Sequence, residues 1–588
     1  MPSKYRFAMR NVREYDTKLK PLAYENYVKV LLSFVEDHKP DLRDTVLALL
    51  QGKDYETLIE LADSYGTQRH RTARDVFLAN QFSALVKKYP FPDPKMKPKA
   101  KSKAMEKFYA AERLCRRYNL KYNTAFSRGT ISMSSDLDLL RNWIRRVIGL
   151  TPNLPSIYSK CGFGPGASIG VGYATNLGRK LLSKRWSITP SALPYALAAL
   201  RTDHHFFELL QPEGRRFVCL DPNEFENLMR AKLELVQHNK VVTVPKTSLV
   251  DRTIAVEPLL NGYLQKGVDV YLRLLLKRVG LDLTDQSRNQ ELARQGSIPG
   301  QSDPFVTIDL SSASDTMSCR VIRELLPPDW YHFLDAIRSP AYSFEGRDPI
   351  RYHKFVSMGN GFCFPLETLI FASVCALYSK PEDFSVYGDD IICRRSVAPR
   401  VLKTLWKLGF RHNPDKTFLE GDFRESCGAD WYAGLNVRPL TLDYELDSLS
   451  SLIKFYNLSR TLNSNVSHAF SAIREMIIEG VPQRVRFERP YEGVVYGAFT
   501  VELDKFQSSP HSRWNRDIQA WSWLELMEVG ASDTALISNS AFPTALTMAA
   551  VRGSPSSKPF ALRRKARQSV RRMSYAGASS TWLPPQDI

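Results

Sequence analysis

No two of the eight cysteines in this chain stand in a C-x-x-C spacing and none falls into a zinc-ligand rhythm, so a structural zinc is not expected. Cys115, Cys161, Cys219, Cys319, Cys363, Cys375, Cys393 and Cys427 are dispersed through 588 residues, the pattern of buried thiols in a reducing compartment. Long apolar runs are missing too. The longest, Phe362 to Tyr378, is broken by Pro365 and Glu367 and falls short of a membrane span. Met1 to Lys20 is rich in charge and has no apolar segment, so no signal peptide is expected. The glycine-dense stretch Cys161 to Gly172 has neither G-x-G-x-x-G spacing nor a following Gly-Lys-Ser/Thr, which removes the dinucleotide and Walker readings. His204 and His205 have no partner at ligand spacing. An apolar fraction of 43% with 24% charged residues excludes a disordered chain and suits a soluble protein of about four domain-sized units.

Positive charge is what the chain has in excess. Lys and Arg number 81 against 62 Asp and Glu, a net charge of +19, which favours a polyanionic partner and nucleic acid first. Much of that excess sits in two stretches. Lys87 to Lys107 holds eight lysines against Asp93 and Glu106, and Arg552 to Arg572 holds eight basic residues and no acid, leaving only about +5 elsewhere. The first, with Pro90, Pro92, Pro94 and Pro98, reads as an extended loop, and the second as a basic tail or helix. Either contacts RNA or is a solvated run. Arg179 and Lys180, just after the glycine-dense stretch, and Lys240 are further candidate RNA contacts.

The chemistry concentrates in Ser385-Val386-Tyr387-Gly388-Asp389-Asp390-Ile391-Ile392. Two β-prone runs flank a glycine turn, so the aspartates sit at a hairpin tip. Two like charges about 4 Å apart repel by roughly 4 kcal/mol at an effective dielectric near 20, a cost that a divalent cation removes. A second carboxylate closes another β-prone run, Pro304 to Asp309, followed by Leu310-Ser311-Ser312-Ala313-Ser314-Asp315. If that strand lies beside the hairpin, Asp309, Asp389 and Asp390 form a two-metal site of the kind used in phosphoryl and nucleotidyl transfer. Lys240 to Lys246 and Asp251 to Val256 read as a two-stranded ribbon presenting Lys246 and Arg252 to a triphosphate. Ser357 and Asn360 precede a helix buried on most sides, at an entrance where they can read a ribose or a base pair. Lys416 is a candidate proton donor to departing pyrophosphate.

Helical periodicity from Leu22 to Leu85, at Ala104 to Tyr118 and at Leu137 to Ile148 gives a mainly helical N-terminal region. Beyond Lys240, strands and helices alternate as in an α+β fold with an antiparallel sheet packed on helices; a helix from Thr316 to Leu325 leads to a loop at Pro327-Pro328, and another runs from Pro399 to Gly409.

These blocks, in this order, resemble the RNA-directed RNA polymerases, specifically the catalytic replicase subunit of the RNA bacteriophages, the levivirus family. The matching stretches are Thr243 to Pro258, Asp282 to Ser297, Thr307 to Asp315, Ser357 to Ser373, Val386 to Ile392, Lys416 to Gly421 and Phe423 to Gly428, all between Lys240 and Leu440. The resemblance implies a right-hand polymerase: an N-terminal helical region over 1–130, fingers over 131–300, a palm over 301–440 with a finger insertion near 326–356, a thumb over 441–550 and a basic tail over 551–588. It implies two Mg²⁺ or Mn²⁺ ions on Asp309, Asp389 and Asp390, triphosphate held by Lys246 and Arg252, and ribose hydroxyls read by Asp315, Ser357 and Asn360. It further implies RNA template and product, ribonucleoside triphosphates, the host elongation factors Tu and Ts, a host ribosomal RNA-binding protein, and action in the host cytoplasm without a membrane. Cys363 and Glu367 depart from the broader viral pattern, which has Thr and Asn there. Small Ser311 and Ser312 after the first aspartate favour ribonucleotides over the deoxyribonucleotides of a reverse transcriptase. That enzyme, and a non-catalytic RNA-binding protein with structural aspartates, are the alternatives.

Overall fold

The computed structural model describes residues 3–66, 72–127, 134–171, 180–181, 183–202, 222–462, 466, 468–490, 496–516, 520–529 and 567–574. The chain opens with five helices, Ser3–Leu19, Ala23–His38, Arg43–Gln51, Tyr55–Gly66 and Ala73–Val86. The second buries Tyr27, Val30, Leu31, Phe34 and Val35, one stripe at helical spacing, and the fifth starts where the Thr72 hydroxyl accepts the Asp75 N–H. The Lys-rich stretch differs from its reading as a loop. A long helix, Met96–Ser127, takes in most of it, because Pro98 falls in the first turn, where no N–H partner is required, and Ala100, Ala104, Phe108, Ala111, Cys115, Tyr118 and Tyr122 give it a continuous buried face.

Two large cores organise the rest. One joins the helices Ser134–Ile148, Leu259–Arg278 and Cys363–Ala376 to the central sheet. The other fuses the two ends of the described chain: Tyr27, Phe34, Phe77 and Phe82 share it with Ile453, Phe455, Phe470 and Trp523. The helices Leu449–Arg460 and Ser471–Gly480 belong to that second core, as does the strand Ala520–Val529. Its seam is marked by Gln81, fully buried, whose amide donates to the Leu440 carbonyl and accepts the Leu440 N–H, both at 2.8 Å. The basic C-terminal run is also corrected. Residues 552–566 lie outside the described residues, but Arg567–Ser574 is neither tail nor helix: it is a strand antiparallel to Ala520–Val529 along its whole length. It holds there because Val570 buries in the second core and Arg571 stands opposite Glu525.

The central sheet has three antiparallel strands, Phe305–Ile308, Asp390–Arg394 in the middle, and Phe384–Tyr387. Side chains alternate between its faces. Val306, Ile308, Val386, Ile391 and Cys393 enter the first large core with the Cys363–Ala376 helix, while Phe305 and Ile392 pack on Ala293 of the helix Ser287–Ser297. Helices therefore cover both faces, which is why these strands read as nearly unbroken apolar runs. The ribbon Asn239–Pro245 and Asp251–Val256 forms as expected and gains Ala341–Phe344, parallel to its first strand, and then Ile350–Arg351. Pro327-Pro328 does not begin a loop. Pro328 occupies the first position of a helix, Pro328–Ile337, where its fixed φ suits the turn. The helix expected from Thr316 starts later, at Cys319, after a 3₁₀ turn and a Ser318 cap. Elements of both kinds packed in layers make the chain an α+β protein.

Gln81→Leu removes both partners of the Leu440 peptide groups while keeping the site apolar. It should lower the unfolding free energy by about 2 kcal/mol or more, seen as an earlier denaturant midpoint; an unchanged midpoint would show that the seam does not depend on this pair.

Candidate active site

The register of the central sheet decides where the acids meet. Ile308 pairs with Ile391 and Val386 with the same Ile391, so Asp309 emerges from its strand at the end of the sheet where Asp389 and Asp390 turn. Gly388 makes that turn possible: its φ is +65°, and a Cβ there would sit 2.1 Å from the Phe364 ring. Its N–H donates to the Thr368 hydroxyl at 2.9 Å, which pins the hairpin to the buried helix.

Asp309 is held by the segment that follows the Ala398–Leu408 helix. The Asn413 N–H donates to its carbonyl at 2.8 Å and the Asn413 side-chain amide to its carboxylate at 3.2 Å; Phe418 and Thr307 exchange backbone hydrogen bonds just behind. Lys416 lies in this same segment. Asp390 accepts the Cys427 N–H at 3.2 Å, and Asp389 is exposed. Burial raises the Asp309 carboxyl above its usual range, opposed by Lys416 and reinforced by Asp389. Burial, Asp389 and Asp309 push Asp390 up to about 6. The three acids are thus close enough to feel one another. The Lys416 side chain is about half exposed; its partial burial works against its charge, and Glu425, Asp309 and Asp390 together hold its pKa above the ordinary lysine value.

The cations of the ribbon face the same place. Arg252 and Lys246 lie at its tip, and the Lys246 ammonium is held below its usual pKa by the protein around it, then by Arg252, Lys416 and Lys107, with Asp309 opposing. Ser357-Met358-Gly359-Asn360 packs directly on the ribbon: the Ala255 N–H donates to the Met358 carbonyl at 2.7 Å, and a Cβ on Gly359, at φ +108°, would come within 2.2 Å of the Ala255 oxygen. Ser357 and Asn360 are buried. They pack into a small recess with Asn239, Glu257, Ser339 and Tyr352, and the Asn360 oxygen accepts the Phe362 N–H at the helix entrance. Asp315 accepts from the Lys354 ammonium at 2.7 Å. Lys240 is exposed on the ribbon.

Two of the candidate RNA contacts change. Arg179 lies outside the described residues. Lys180 is buried, not surface-borne: its ammonium donates to the Gly164 and Gly166 carbonyls at 2.5 and 2.6 Å, and burial lowers its pKa to about 8. It organises the glycine-dense loop from within, since carbonyls freed by a Gly-Pro-Gly turn offer a lysine the acceptors that solvent would otherwise provide.

The profile of the family described as "RNA replicase, beta-chain" matches residues 64–464. The chain belongs to that family. It is 40% identical over 335 residues to the RNA-directed RNA polymerase beta chain of Escherichia phage MS2, covering 56% of this chain and 58% of that one. It is 36% identical over 365 residues to the RNA-directed RNA polymerase subunit beta of Escherichia virus Qbeta, covering 60% and 57%. The match therefore spans a little under three fifths of the curated relatives' length. The solved RNA-dependent RNA polymerase of a human picobirnavirus, an insertion-loop deletion mutant, aligns with 68% of this chain and 92% of its own at a TM-score of 0.31 and 11% identity, which adds nothing to the family assignment.

Among the described residues, no three His, Cys, Asp or Glu side chains are drawn together as a preformed metal cluster, and no helix is long and apolar enough to cross a membrane. The roles of several residues escape a reading of the sequence. Lys354 is 1% exposed, lies 3.9 Å from the Phe108 ring centroid and 4.0 Å from Glu112, and fixes Asp315. Asn413 and Cys427 brace the aspartates. Glu367, on the buried helix, is pushed up to about 8 by burial and then by Asp389, with Ser314 and Cys363 opposing.

An unfolded glutamate releases its proton near pH 4.3, whereas the folded one keeps it to about 8, so Glu367 supports the fold below that range and loses this support as pH rises through it. With metal chelated, Glu367→Gln should flatten the fall in melting temperature between pH 6 and pH 9 and leave the variant the more stable at pH 9. Equal pH slopes for the two proteins would contradict the assignment.

Proposed function

We propose that the chain copies RNA into RNA, joining a ribonucleoside triphosphate to an RNA 3′ end and releasing pyrophosphate. The observation that carries this reading is the convergence of Asp309, Asp389 and Asp390 with Lys416, Lys246 and Arg252 at one end of the central sheet. Membership of the replicase beta-chain family supports it.

The donor set fits divalent metal. Three carboxylates lie at one end of the sheet, two of them with pKa raised by burial and by their acidic neighbours, and a hard cation with oxygen ligands would draw them together and relieve that conflict. Asp309 and Asp389 would hold two Mg²⁺ or Mn²⁺ ions and Asp390 would complete the site. When bound, such ions supply positive charge for the attacking and departing oxygens of an in-line displacement. The chain's own residues do the rest. Lys246 and Arg252 hold the triphosphate from the ribbon, Arg as a planar fork and Lys as a point charge. Lys416, kept charged by its acidic neighbours, stands where it can give a proton to pyrophosphate. Asp315, fixed by Lys354, accepts a hydrogen bond from the ribose 2′-hydroxyl, and small Ser311 and Ser312 leave room for that group. Ser357 and Asn360 support the wall against which the ribose lies. In this reading the central sheet with its helices is the palm, the ribbon and its added strands belong to the fingers, and the helices after Leu440 form a thumb that shares its core with the N-terminal helices. By family membership, elongation factors Tu and Ts and a ribosomal RNA-binding protein of a bacterial host are the partners to seek by co-purification.

Asp389→Asn should cut ribonucleotide incorporation on a primed RNA roughly a thousandfold or more, about 4 kcal/mol of transition-state stabilisation, with RNA affinity nearly unchanged. Loss of RNA binding with the same substitution would favour a binding protein whose aspartates are structural. Lys354→Met should reduce the preference for ribo- over deoxyribonucleotides roughly tenfold. A ratio of kcat/KM values is independent of how much enzyme is folded, so an unchanged ratio would remove Asp315 from ribose recognition, and a preference for deoxyribonucleotides in the parent chain would make it a reverse transcriptase.

A further inference from the structure

The helix Met96–Ser127 carries positive charge that neither the fold nor the proposed chemistry uses. Lys103, Lys107, Ala110, Leu114, Arg117 and Lys121 follow one another at intervals of four and three residues, so they lie in one line along the helix, about 27 Å from end to end. Its four cations are exposed, and none has a carboxylate at ion-pair distance among the described residues. Nearer the start of the helix, by contrast, Lys99 pairs with Glu56 and Lys101 with Glu345. Glu106 is the one exposed acid between Met96 and Lys121. Such a row pays self-repulsion that internal pairing does not offset, and a flexible polyanion offsets it along the whole line.

The line meets the surroundings of the candidate active site at two points, Lys107 and Lys121. Lys107 is an electrostatic neighbour of Lys246. At the other end Lys121 lies 5.3 Å from the Tyr118 ring centroid, and the Tyr118 hydroxyl donates to the Trp406 carbonyl at 2.9 Å and accepts from Arg411 at 3.1 Å. The Arg411 carbonyl in turn accepts the Ser311 N–H, two residues past Asp309. The Arg411 guanidinium lies 4.9 Å from the centroid of Trp406, a residue that is 55% exposed. An exposed indole beside a cation is the element that single-stranded nucleic acid uses for stacking, and a spaced row of Lys and Arg is what its backbone follows.

We infer that Lys103, Lys107, Arg117 and Lys121 track the phosphates of single-stranded RNA outside the active site, with a base stacked at Trp406. The line itself stands on the geometry; that the polyanion is RNA rests on the copying reaction proposed above. The strand is either template approaching the aspartates or product leaving them, and the chemistry is the same for both.

The test uses the full chain without nucleotides or added metal and an unstructured 20-nucleotide RNA. Changing Lys103, Lys107, Arg117 and Lys121 together to Gln should make the slope of log affinity against log salt shallower by about 2.8, the value for four phosphate contacts on a single strand. A charge-keeping counterpart, Lys→Arg at the three lysines and Arg117→Lys, should retain the parent slope. A Gln variant with the parent slope, or a counterpart that loses it equally, would overturn the inference. On a primed template with unmodified protein, 4-thiouridine placed in the template ahead of the copied position, or in the product behind it, should cross-link to the Trp406 peptide from one of the two and so name the strand; cross-linking from neither would overturn it. A chain that cross-links there without incorporating nucleotides would sink the copying reading alone, and one that copies without cross-linking would sink the RNA line alone.

Discussion

The pairing of Ile308 with Ile391 brings Asp309 to the end of the sheet where Asp389 and Asp390 turn, and partial burial there leaves the acids in conflict with one another. A shift of one residue would send Asp309 to the opposite face of the strand and break the gathering of charge. The protein resists that shift on both faces of the sheet at once, because alternate residues of each strand enter two different apolar clusters. The register is therefore set by ordinary hydrophobic packing, and the charge conflict at the sheet's end is carried by a framework that has no freedom to relieve it by moving.

Around that framework the compensations come from segments distant in the chain. Asn413 and Cys427 donate to the acids from the strands and turns that follow the hairpin. Lys354, buried between an aromatic ring and two carboxylates, is satisfied by charge and cation–π contact together, and by the general cost of burying a lone ammonium it holds only while Asp315 and Glu112 remain. The ribbon reaches the same space from a different sheet, fastened by the Met358 carbonyl and by the close approach that Gly359 permits.

What could be read from the residues was what local chemistry dictates. The Gly388 turn, the paired runs around it, the ribbon with Pro245 at its end and the helix stopped at Gly409 are each written in a few consecutive residues, and each is where it was expected. Elements whose state is decided by distant partners were not legible. Prolines near Lys97 suggested an open loop, yet the buried stripe from Ala100 to Tyr122 wins because the ribbon and the central core receive it. The arginines near the C-terminus suggested a tail, yet a partner strand supplied an edge and an acid. The burial of Lys354 and of Lys180 was not legible among 81 basic residues, since nothing beside either in sequence distinguishes a buried ammonium from a solvated one.

The joint between Gln81 and Leu440 has a temporal side. Its partners are separated by 359 positions, and Phe34 meets Phe470 at 5.7 Å across a still longer interval. During synthesis the N-terminal helices emerge hundreds of residues before the surfaces that cover them, while the carboxylate hairpin and its sheet are completed earlier from nearer pieces. The nascent chain must keep an uncovered apolar face from aggregating until translation passes Phe470.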